Sequence, residues 1–122
     1  MKHSEIKHFR DYSDFENINF LKETCEQINK DLNGFTDKQV KLTEQLLEDP
    51  ISNLIAQLNP IILHLEAANH LKPFIYTIDL PENKFLNYLH KKHDLSQFIF
   101  HIIERSAQKV FFRWRFSNKI NH

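Results

Sequence analysis

A chain of 122 residues, 41% of them hydrophobic and eleven of them Phe, holds enough apolar material for one well-filled domain, which excludes a disordered polymer. Its 16 Lys/Arg balance its 16 Asp/Glu, which excludes a uniformly basic or acidic protein, yet the charge is unevenly spread. Residues 1–70 carry 7 Lys/Arg against 12 Asp/Glu and residues 71–122 carry 9 against 4, so the C-terminal half is the candidate anion-facing part, unless the two halves attract each other or a second copy.

Cys25 is the one cysteine, so no intramolecular disulfide can form and nothing points to an oxidising compartment. The first residues, MKHSEIKHFRDYSDFE, are charged throughout, and no run approaches the ~18 apolar residues of a membrane span. A soluble cytoplasmic protein without membrane contact is expected. Gly34 is the one glycine. Phosphate-cradling loops and dinucleotide fingerprints need several glycines for close backbone approach, so both are excluded and no cofactor is expected. Scarce glycine also disfavours tight hairpins and favours helices joined by polar turns.

In chain order, residues 1–12 are expected to be a flexible N-terminus. A first helix should start near Ser13, where Ser13 and Glu16 form a capping box, and stop at Asn33-Gly34, with Phe15, Ile18, Leu21, Cys25, Ile28 and Leu32 inward. A second should run from Thr36 to Glu48. Asp49-Pro50 opens a third with Ile51, Leu54, Ile55 and Leu58, and Pro60 either kinks it or begins a fourth. This helical segment, 13–71, should close before Lys72-Pro73. From Phe74 the pattern changes: Phe74, Tyr76, Ile78 and Leu80 alternate with Ile75, Thr77 and Asp79, a strand signature. Pro81-Glu82 then opens a short helix with Phe85, Leu86, Tyr88 and Leu89 inward. Asp94 or Ser96 caps another with Phe98, Ile99, Ile102, Ile103 and Ala107 inward, and Lys109 to Ser117 reads as a second strand. The predicted class is α+β and mostly helical, N-terminal antiparallel helices followed by a strand-helix-helix-strand unit over 72–117, packed as one domain, with 118–122 a tail.

The stretch 74–107, FIYTIDLPENKFLNYLHKKHDLSQFIFHIIERSA, resembles the ribbon-helix-helix family of small dimeric DNA-binding proteins in its order of strand, Leu-Pro-Glu, helix and capped helix. The resemblance implies a homodimer whose paired strands enter the major groove, with Ile75, Thr77 and Asp79 facing bases. It also implies a phosphate held at the turn of Leu95, Ser96 and Gln97. Ile75 and Asp79 are not base-reading side chains, and the glycine usual between the two helices is replaced by His93-Asp94.

Apart from the resemblance, the strongest signal for an anionic partner is the tail Lys109, Arg113, Trp114, Arg115 and Lys119, where arginines alternate with aromatics that can stack on bases. The same alternation also describes a half-buried strand with its arginines in solvent. His90-x-x-His93 has a spacing a metal could use, but no Cys or second His pair completes a site, so no metal is expected. No Ser, His and Asp can be grouped into a catalytic set, and the carboxylates Glu44, Glu48, Glu66 and Glu104 fall on solvent faces. The expectation is a non-enzymatic binding protein. Its leading form is a dimeric nucleic-acid-binding regulator using Thr77, Ser96, Gln97, Lys109, Arg113, Trp114, Arg115 and Lys119; the alternative is a protein-interaction module, an adaptor or inhibitor of a larger complex.

Overall fold

The computed structural model describes residues 17–121 and the side chains of residues 17–116. Within these it is all helical: α1 Ile18–Leu32, α2 Glu44–Glu48, α3 Pro50–Ala67, α4 Leu71–Thr77, α5 Glu82–Leu89 and α6 Leu95–Asn121. Neither expected strand is present, so the α+β class is corrected to all-α.

The first misread stretch is α4. Its buried residues are Leu71, Phe74 and Ile75, followed by Ile78, a spacing of three, four and seven that belongs to one helix face, while Tyr76 is 60% exposed. Pro73 is tolerated because it is the third helical residue, where the missing N–H has no acceptor within the helix. The second is the end of α6, which continues unbroken from Leu95 to Asn121. Phe98, Ile99, Ile102, Ile103, Ala107 and Val110 are fully buried along one stripe that Trp114 prolongs, and no Gly or Pro interrupts the run.

Asn17 begins α1: its Oδ1 accepts from the backbone N–H of Asn19 at 2.9 Å and of Phe20 at 3.2 Å. The capping box at Ser13 and Glu16, the segment 1–12 and the inward position Phe15 lie outside the described residues. Ile18, expected inward, is 53% exposed, and Phe20 is buried instead. The second expected helix shrinks to α2, opened by Thr43, whose Oγ1 accepts from the Leu46 N–H. Residues 36–43 are not helical. Their backbone is held by two side-chain amides: Asn29 gives Nδ2–H to Val40 O and accepts its N–H (3.0 and 2.8 Å), and Gln57 does the same for Lys41 (2.9 and 2.7 Å). Each amide imitates one rung of a sheet and draws Val40 into the core.

Pro60 lies inside one helix, α3, so no fourth helix begins there. The helices α3, α4 and α5 end alike. Asn69, Asp79 and Lys91 take left-handed φ of 61°, 59° and 61°. The following N–H groups return to Leu65 O, Ile75 O and Asn87 O, the six-to-one bond of a Schellman turn. With these turns the chain reverses tightly without glycine, and α6 is brought against both α1 and α3 as the central helix of the bundle.

Candidate interaction surface on the C-terminal helix

The C-terminal part of α6 divides into two faces. On the inner side, Lys109 Nζ donates to Asp31 Oδ2 at 3.1 Å, Arg113 Nη1 to Gln27 Oε1 at 2.6 Å and Trp114 Nε1 to Glu23 Oε2 at 3.0 Å. Glu23, Gln27 and Asp31 stand four residues apart on one face of α1, and the pairing runs in opposite senses along the two helices, so α1 and α6 are antiparallel. The Trp114 ring meets the buried Phe20 ring edge-on, 5.4 Å between centroids at 84°. The basic C-terminal half and the acidic N-terminal half thus meet inside one chain. On the outer side, Phe112 and Phe116 are 42% and 62% exposed, and the Arg115 guanidinium, also exposed, lies 5.9 Å from the Phe111 ring centroid.

The other sequence candidates lie elsewhere. Thr77 is exposed at the end of α4, its hydroxyl donating to Pro73 O at 3.0 Å. Ser96 and Gln97 lie in the first turn of α6, about 25 Å along the helix from Arg113 at 1.5 Å per residue. There the Asp94 carboxylate accepts the Gln97 N–H at 2.8 Å and adds a negative charge where a phosphate would sit. The Lys119 side chain lies outside the described residues. Of the sequence set, then, Lys109, Arg113 and Trp114 come together against α1, Arg115 lies on the other face of the same helix, and Thr77, Ser96 and Gln97 do not join them.

A second feature was not legible in the sequence. His93 pairs not with His90 but with His101, ring centroids 5.7 Å apart, and His101 Nδ1 is 3.4 Å from Oε1 of Glu104, which is buried and not on the solvent face expected of it. His93 Nδ1 and His101 Nε2 are buried with no hydrogen-bond partner among the described residues. Beside this pair an open groove of about 380 Å³ is lined by Glu66, Tyr88, Lys91, His93, Asp94 and Leu95, among others. The Tyr88 ring stacks on Phe98 at 4.4 Å and its hydroxyl donates to Glu66 at 3.0 Å. Burial, helped by Glu66, pushes the Tyr88 phenol up to about 12. Among the described residues no group of three or more His, Cys, Asp or Glu could hold a metal, and no helix is long and apolar enough to cross a membrane. The buried Cys25 thiol is pushed up to about 11 by desolvation and then by Glu26, so it is held as a neutral packing group.

Comparison with protein-family models, with curated proteins and with solved structures returns no match for this chain.

Proposed function

We propose that this chain is a binding protein and not an enzyme, and that it docks on another protein through the outer face of α6, as an adaptor or inhibitor. The observation that supports this is the division of α6. Lys109 and Trp114, half-buried, and Nη1 of the exposed Arg113 are engaged by α1, whereas Phe112 and Phe116 are left to solvent beside Arg115. Two exposed aromatics one helical turn apart, with an arginine at their edge, suit an amphipathic segment that offers apolar side chains flanked by carboxylates. A single-strand surface would need the guanidinium and indole groups free to stack and pair.

The test compares wild type with Phe112→Asp/Phe116→Asp in affinity capture, followed by reconstitution from purified components. Titrations of short duplex and single-stranded oligonucleotides at low salt run beside it. A stoichiometric protein bound by wild type and lost in the variant is the expected result. Salt-sensitive oligonucleotide binding that Arg113→Glu with Arg115→Glu removes would overturn the proposal in favour of nucleic acid.

A further inference from the structure

The two buried side-chain nitrogens without a hydrogen-bond partner among the described residues belong to one ring contact: Nδ1 of His93 and Nε2 of His101. A buried polar atom is normally paired, because nothing else compensates its loss of water, so two in one contact point to a common occupant. Their positions are fixed by the fold. His93 follows the turn that ends α5, its backbone N–H bonded to Asn87 O at 3.1 Å, and His101 stands in the second turn of α6, its side chain 12% exposed. Glu104, one turn further along α6, places Oε1 3.4 Å from His101 Nδ1. A carboxylate at Nδ1 holds the ring proton there and leaves the Nε2 lone pair free, the arrangement that stands behind metal-bound imidazoles.

We propose that His93 Nδ1 and His101 Nε2 together ligate a divalent transition-metal ion of the zinc class, with water in the remaining positions. The ring spacing suits it. With nitrogen–zinc bonds of about 2.0–2.1 Å and an angle at the metal of roughly 110–130°, two imidazole centroids stand about 5–6 Å apart, and the separation here is 5.7 Å. Imidazole nitrogen selects zinc, copper and nickel, whereas magnesium and calcium take oxygen ligands. Entry is open: the groove of about 380 Å³ reaches His93 from solvent, and its carboxylates Glu66 and Asp94 outnumber its one cation, Lys91. Two protein ligands are fewer than the four of a structural zinc centre, so the ion is exchangeable and fastens the α5–α6 junction only while metal is supplied. The site shares no residue with the outer face of α6, and its test is separate from that of the proposed function.

Zinc titration of the full chain with its imidazole nitrogens labelled in ¹⁵N reads each ring nitrogen by name. One equivalent of Zn²⁺ is expected to shift His93 Nδ1 and His101 Nε2. That binding should disappear in His93→Gln and in His101→Gln, weaken about tenfold in Glu104→Gln, and persist in His90→Gln. Zn²⁺ should also raise the denaturant midpoint of wild type and leave that of His101→Gln unchanged. Zinc shifts confined to others of the eight histidines, or binding that both His→Gln variants retain, would overturn the proposal. Loss of binding in His90→Gln would do so as well, by moving the ion to the exposed side of His93. No shift in excess Zn²⁺ would make the occupant a bridging water and overturn it too. Should either His→Gln variant unfold, the two nitrogen shifts in wild type decide alone.

Discussion

Left-handed backbone is costly for a residue with a Cβ, by about 1–2 kcal/mol, and least so for Asn and Asp, whose short side chains bond locally. Of Asn69, Asp79 and Lys91, the lysine is the least suited to its φ of 61°. Lys91→Gly is therefore expected to raise stability by about 1 kcal/mol, read as a higher denaturant midpoint, with a smaller gain for Asn69→Gly. Gly34 is the converse case. It is not left-handed, and a Cβ there would meet no atom within 4 Å, so Gly34→Ala should stabilise by about 0.4–1 kcal/mol through a less free unfolded chain. Asn29→Ala should act oppositely, removing both bonds to the buried Val40 backbone at a cost of about 1–3 kcal/mol, with faster hydrogen exchange at Val40 as its signature. The raised Cys25 and Tyr88 groups define an alkaline window. Each stays protonated in the fold above its ordinary value of 9.0 or 10.0, while the unfolded chain releases the proton. Their contribution is complete below pH 9 and declines as pH rises toward 11–12, so the denaturant midpoint should fall between pH 8 and pH 11.

Among the helices, the inward set of α6 distinguishes helix from strand by stability alone. On a strand, Val110 and Phe112 share a face; on α6 they part, Val110 fully buried and Phe112 42% exposed. Val110→Ala should cost about 2 kcal/mol, Ile102→Ala about 2–5 and Phe112→Ala less than about 0.5 in equilibrium unfolding. The start of α6 was legible because its signals are local: Asp94 as cap and Phe98, Ile99, Ile102, Ile103 and Ala107 at helical spacing. The end was not, because Val, Phe and Trp favour strands and an alternating run of nine residues also satisfies part of a helical stripe. The same ambiguity hid α4, where Leu71, before the alternating run, was the residue that would have revealed the 3.6 period. Residues 36–43 looked helical because their capping signal is local, whereas the amides that hold them extended come from Asn29 and Gln57, 11 and 16 positions away from the residues they bind.

For the whole molecule the deciding contacts join the first described helix to the last. Lys109, Arg113 and Trp114 could be singled out from composition, but not their partners, which lie 78, 86 and 91 residues earlier. The Lys109–Asp31 pair is largely shielded, its side chains 19% and 11% exposed, so salt should screen it little. Lys109→Met alone leaves the Asp31 carboxylate without its counter-charge and should destabilise by about 1–3 kcal/mol. Adding Asp31→Leu should recover much of that loss, the non-additivity of a double-mutant cycle being the measure. The antiparallel pairing of α1 with α6 also bears on how the protein is made. At roughly 5–20 residues per second, a ribosome delivers the α6 partners about 4–18 s after α1. Until then the Phe20 ring lacks Trp114, and Glu23, Gln27 and Asp31 lack the donors that α6 brings, so this side of α1 waits uncovered. The seam between the first and last described helices closes late.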